Sequence, residues 1–245
     1  MRCALFVLAN CIGFAYGQAP VPAQAPAAPG QRPQEQIRAP GNAAVQTVDR
    51  LGHGVVAFPA AVVHHWRISL PVVAGTAALM AWGDRPASAA ITSPSLETRS
   101  RQFSNYLEMA GLPALALGAV ATRREPGRWT TIETVGMAAL GAGAAVEVVK
   151  RTAGRERPFL QGDNDGGFLE AGTSFPSGHA VISFAVASAL AHRYPDRRWV
   201  RWTAYSLAGV IAGLRFTGKE HFPSDLAVGS GLGYLIGRCA IACRD

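Results

Sequence analysis

The sequence predicts an all-α protein, a bundle of six helices embedded in a membrane. Three observations carry that prediction. The 245-residue chain is 49% hydrophobic, 16% charged and holds 27 glycines, so it is richer in small apolar residues and poorer in charge than most soluble enzymes. Its apolar stretches are built from Ala, Leu and Gly and lack the period-two alternation of half-buried strands. Short polar breaks with turn or helix-start chemistry separate them.

Taken in order, residues 1–17 have the form of an export signal. Arg2 precedes an apolar run from Ala4 to Phe14, and Ala15-Tyr16-Gly17 places small residues at the two positions a signal peptidase reads. That run is too short to span a bilayer well. Cys11 hints at a lipoprotein site, but Asn10 is a poor residue before a lipidated cysteine. Cleavage after Gly17 leaves Cys239 and Cys243, four apart on one helix face, where a disulfide is awkward and buried free thiols are expected. Residues 18–45, rich in Pro, Ala and Gln, cannot form a core and are expected to be a disordered tether. The helical domain then occupies 46–245.

Six apolar segments follow, at 68–82, 106–122, 132–149, 178–192, 202–214 and 224–241. Val55 to Trp66 offers a further, shorter helix, with His64-His65-Trp66 suited to an interfacial belt. Breaks are predicted at Gly83-Asp84-Arg85-Pro86, Arg123 to Arg128, Tyr194-Pro195-Asp196 and Phe222-Pro223. Most uninterrupted apolar runs are shorter than the ~20 residues a span prefers. Glu108, Glu147 and Arg238 interrupt three segments, and mean hydropathy is only +0.15.

Charge narrows the partners. A net charge of +7 suits an anion, such as a phosphate ester or an acidic membrane surface. Basic residues scattered singly and in short loops, without interleaved aromatics, put nucleic acid last, and no nucleic-acid partner is expected. Arg123, Arg124 and Arg128 form one basic loop, Arg193, Arg197, Arg198 and Arg201 a second, and Arg244 lies in the tail. In a six-span arrangement all fall on one side, which the positive-inside rule makes cytoplasmic. That arrangement starts inside, whereas a cleaved signal leaves residue 18 outside. Either a helix near 55–66 corrects the parity, or the bundle is a soluble exported one.

Three polar segments carry the chemistry: Lys150 to Pro158, Pro176 to His179 and Arg215 to Asp225. Pro176 suits a helix entrance, and Ser177-Gly178 fall where backbone N–H groups are unpaired, a place for an anion. His179 is placed to give that anion's leaving oxygen a proton. In the pair His221 and Asp225, one turn apart, a carboxylate can fix the imidazole tautomer and leave the other nitrogen to attack. Lys150, Arg157 and Arg215 can surround three phosphate oxygens. Arg151, Arg155 and Lys219 are expected to be ordinary surface charge. Asp163 to Gly167 lacks the ligands of a calcium loop and is expected to be a polar turn covering the site.

In combination these residues resemble the type-2 phosphatidic acid phosphatase and vanadium haloperoxidase superfamily. The matching strings are Lys150-x6-Arg157-Pro158, Pro176-Ser177-Gly178-His179 and Arg215-x5-His221-x3-Asp225. One position departs, Leu214 standing where that family usually has Ser. The resemblance implies a six-helix bundle with the polar segments after the third and fifth helices. It implies that His221 attacks phosphorus with Asp225 orienting it, and that His179 protonates the leaving alkoxide. Lys150, Arg157, Ser177, Gly178 and Arg215 would hold phosphate. No metal or other cofactor is expected, and vanadate is expected to inhibit. The implied activity is hydrolysis of a phosphate monoester or pyrophosphate, lipid-linked, outside the cytoplasm at the inner membrane. The alternatives are a soluble periplasmic acid phosphatase and a vanadate-dependent haloperoxidase.

Overall fold

A computed structural model describes residues 74–121, 128–159 and 166–242. The export signal, the tether, the helix near 55–66, the Arg123-Arg124 loop and Asp163 to Asp165 lie outside them. Six helical runs and no strand occur among the described residues. Helix α1 comprises residues 74–78, the π-helical turn Leu79–Gly83 and Asp84–Ala89. Helix α2 comprises Pro94–Tyr106, the π-helical turn Leu107–Gly111 and Leu112–Ala121. Then come α3 (Arg128–Ala153), α4 (Gly178–Arg193), α5 (Arg198–Thr217) and α6 (Pro223–Ala242).

Two predicted boundaries are corrected. Gly83 to Pro86 is not a break, because Gly83 keeps helical angles and the chain stays helical through Ala89. The π-helical turn before Pro86 already interrupts the regular ladder, where a proline is tolerated. Helix α2 starts twelve residues before its apolar part, at Pro94, where Ser93 accepts a hydrogen bond from Leu96 N–H at 3.5 Å. That is a serine cap with proline in the first position, on a polar stretch that an apolar count passes over.

The polypeptide packs around α4, which lies against α6, α5 and α3. Its faces serve two apolar clusters. One joins Val181, Ala185 and Ala189 to Ala142 and Val146 of α3 and Ile236 of α6. The other joins Val186 and Leu190 to Leu112 of α2 and Ile211 of α5. The contact with α6 is unusually close because Gly233 and Gly237 face it. A Cβ built there would lie 2.3 Å from the carbonyl oxygens of Val181 and Ala185 respectively.

Cys239 corrects a further expectation. It is buried, and it is disulfide-bonded rather than a thiol. Its partner lies outside the described residues.

Among the described residues, Thr131–Ala153 is the one helix long and apolar enough to cross a membrane. Large apolar side chains nevertheless face outward on five helices, including Trp82, Met109, Leu140, Trp202 and Leu235.

Candidate functional site

Chain direction gathers the polar segments at one end. Helices α3 and α5 finish there, α4 and α6 begin there, and α2 passes by. His221 closes the turn between α5 and α6 and is 1% exposed. Its Nδ1 donates to the Ser174 carbonyl oxygen at 2.7 Å, which leaves Nε2 with the lone pair. Burial holds its pKa well below the ordinary 6.5, and nearby Arg215, Arg157 and Lys150 push the same way. The Ser174 hydrogen bond opposes them. The imidazole is therefore neutral and nucleophilic at neutral pH.

Asp225 does not orient His221 directly, which corrects the expected pair. Its Oδ2 lies 3.9 Å from His221 Nδ1, beyond hydrogen-bond range. That oxygen instead accepts from Ser174 Oγ at 2.6 Å and from Phe222 N–H at 2.9 Å. Asp225 thus fixes Ser174 and the first turn of α6, and Ser174 fixes the histidine.

Arg155 corrects a second expectation. It is no surface charge but 2% exposed. It donates to Asp225 Oδ1 at 2.6 Å, Asp84 Oδ2 at 2.7 Å, Ser224 Oγ at 2.8 Å and the Gly166 carbonyl at 3.0 Å. The Phe222 ring lies 4.3 Å from its guanidinium carbon. Asp84 in turn accepts from Ser224 N–H at 3.0 Å, so α1, α6 and the segment after α3 share one buried network. Arg151, by contrast, is exposed as expected. Lys219 is half-buried and lies 3.3 Å from Glu97, so it is paired rather than plain surface charge.

Three of the phosphate-binding candidates, Lys150, Arg157 and Arg215, lie close together, with Arg101 of α2 beside them. Arg215 Nη2 donates to Glu220 Oε2 at 2.9 Å, and Arg157 Nη1 donates to the same oxygen. Arg101 of α2 reaches the other oxygen at 3.1 Å. Two guanidinium groups thus converge on a single oxyanion, the geometry that a phosphate oxygen also needs. Buried Arg215 Nε has no partner among the described residues. Lys150 borders the same space, since a Cβ on Gly178 would lie 3.7 Å from its Nζ.

Ser177 differs from expectation. Its N–H donates to the Asp225 carbonyl at 3.2 Å, and its hydroxyl caps α4 by accepting from Ala180 N–H at 3.5 Å. It joins α4 to α6 rather than offering an unpaired amide. Leu214 is half-buried, and its carbonyl accepts from Gly218 N–H at 2.9 Å in the turn that ends α5.

His179 faces α2. Its Nε2 lies 2.9 Å from Asn105 Oδ1 and 3.0 Å from Glu108 Oε2. Both are acceptors, so Nε2 carries the proton. The Asn105 orientation fits, because Oδ1 also accepts from Arg215 Nη1 at 3.3 Å. From Glu108 a groove of about 350 Å³ runs beside α2, lined by Leu112, Ala116, Ile132, Val135, Gly136 and Ile182.

Asp84, Arg101, Asn105, Glu108, Ser174 and Glu220 escape the motif argument. Two left a signal: Glu108 interrupts an apolar segment, and Glu220 abuts His221.

Among the described residues, fold and site together define a six-helix bundle with histidines and arginines gathered at one end. Residues 132–245 match the family model described as the PAP2 superfamily. Over 182 residues the chain is 29% identical to a lipid A 1-phosphatase of Porphyromonas gingivalis, covering 73% of this chain. It spans only 38% of that relative's length. A crystal structure of a transmembrane PAP2-type phosphatidylglycerolphosphate phosphatase from Bacillus subtilis is similar at 20% identity, with a TM-score of 0.50. It covers 71% of this chain and 92% of its own, and shows the fold. Aquifex aeolicus LpxE matches at 21% identity over 64% of this chain and 92% of its own, with a TM-score of 0.49.

Proposed function

We propose that the protein is a metal-independent phosphatase acting on a lipid-linked phosphate monoester or pyrophosphate. The observation that carries this reading is neutral, buried His221 with its Nδ1 proton tied to Ser174, beside Arg157, Arg215 and Lys150. His221 Nε2 attacks phosphorus, the ester P–O bond breaks, and the leaving oxygen takes the proton from His179 Nε2. His179 then removes a proton from water, hydroxide attacks the phosphohistidine, and the P–N bond breaks to restore His221. Arg157, Arg215 and Lys150 hold the phosphate oxygens throughout, after displacing Glu220 from the arginines.

The groove beside Glu108 supports a lipid substrate, as a place for a hydrocarbon chain next to the reacting end. The relative's name, a lipid A 1-phosphatase, points to the same class. Outward-facing Trp82, Leu140 and Trp202 support an inner-membrane position. Arg193, Arg197, Arg198 and Arg201 lie at the end opposite the site, which supports a periplasmic active site in an exported chain.

The test is phosphate release from detergent-dispersed lipid phosphates by the purified full chain. Release is expected to persist in EDTA and to be blocked by vanadate, a mimic of the five-coordinate phosphorus. His221→Ala is expected to lower kcat at least ~10³-fold, as loss of a nucleophile does. An unimpaired His221→Ala protein would overturn the reading.

A further inference from the structure

The groove meets the site at a carboxylate that the mechanism above does not use. Glu108 sits within the π-helical turn Leu107–Gly111, a distortion of the helical ladder that recurs at functional sites. Its side chain is 17% exposed, and Oε2 lies 3.0 Å from His179 Nε2. The other oxygen, Oε1, is buried with no hydrogen-bond partner among the described residues. An unmatched buried acceptor is costly. Alignment of His179 does not explain it, because one carboxylate oxygen suffices and Asn105 already accepts from the same nitrogen. Among the described residues Glu108 is also the one ionisable side chain lining a groove that is otherwise apolar apart from Thr131.

We propose that Glu108 is a specificity residue: Oε1 accepts a hydrogen bond from a hydroxyl or ammonium group beside the scissile ester. The inference rests on the phosphatase reading above and narrows its substrate class. The leaving oxygen has to reach the Nε2 proton of His179, which lies within 3.0 Å of Glu108. Atoms next to that oxygen therefore pass Glu108 before the chain enters the groove. A donor on the neighbouring carbon satisfies Oε1. A methylene or an esterified oxygen leaves it bare, and a second phosphate meets like charge. The favoured substrates are sugar or polyol lipid monophosphates, ahead of diacylglycerol phosphates and lipid diphosphates.

The test compares dodecyl phosphate with 2-hydroxydodecyl phosphate in detergent micelles, using the full chain. The two esters differ by one hydroxyl. Wild type is expected to show kcat/KM at least ~10-fold higher for the hydroxylated ester, the effect of one hydrogen bond to a charged acceptor. In Glu108→Ala that ratio falls to about one, whatever the loss of absolute rate from a less constrained His179. Glu108→Gln, whose amide oxygen still accepts, keeps part of the preference. Equal rates for the two esters in wild type overturn the inference alone. A preference that survives in Glu108→Ala also overturns it. Release from neither ester overturns the phosphatase reading, and this inference with it.

Discussion

His221 is an imidazole whose charge state is decided by its surroundings. Buried among three cations, it binds a proton less readily than the ordinary value of 6.5 implies. Between the folded-state value and 6.5 the unfolded chain holds the proton and the folded one does not. Its share of stability is therefore complete above 6.5 and is lost as pH falls below it. The same sign governs catalysis: the acid limb of kcat/KM belonging to His221 is expected below pH 6.5. A pH–rate profile measures it, and a limb at or above 6.5 contradicts the assignment. Arg155 is the other residue on which the site depends. Arg155→Leu leaves Asp84 and Asp225 buried without their cation and should cost roughly 3–5 kcal/mol, seen in thermal unfolding in detergent. Arg151→Ala, at an exposed position, should cost about 0.5 kcal/mol or less. The string KRTAGRERP holds four cations, and nothing local says which turns inward. That is decided by Asp84, 71 residues earlier. The motif residues were legible because their spacing is chemical. Their supports were not, because each is fixed by a partner remote in sequence.

At the scale of elements, α4 carries His179 and the turn before α6 carries His221 to a common end, and the separation of the two helices is set by glycine. With Val181 O only 2.3 Å from where a Cβ would stand, Gly233→Ala must push α6 away from α4. The expected loss is roughly 1–3 kcal/mol, together with a fall in kcat as His179 and His221 shift apart. Gly231, on the same helix with open space around it, serves as the control: Gly231→Ala should be neutral or mildly stabilising. Helix ends marked by Pro195 and Pro223 could be placed from sequence, since proline restricts the residues around it. The polar first half of α2 could not, because its helicity comes from a serine cap and tertiary contacts. Thr217 Oγ1 to Ser100 Oγ at 2.8 Å is one of these. The run PSLETRSRQFSNY has no apolar period to betray it.

Across the whole molecule, the proposed function assigns the hydrocarbon chain to the groove and the phosphate to the site. Gly136 lines the groove and has nothing within 4 Å of a would-be Cβ, so Gly136→Leu fills hydrocarbon space without a clash. It should raise KM for long-chain lipid phosphates at least ~10-fold while sparing a short soluble ester such as p-nitrophenyl phosphate. Equal effects on both esters would show that the groove takes no part in binding. One feature of the buried network reaches further than stability. The matched family segment begins at residue 132, yet Asp84, Arg101, Asn105 and Glu108 all precede it. The segment that the family model matches is thus smaller than the segment that builds the site. A graft or truncation cut at that boundary would transplant both histidines and strand them. The smallest transferable unit therefore starts upstream of Asp84 and includes α1 and α2, which bring Asp84, Arg101, Asn105 and Glu108 to the site.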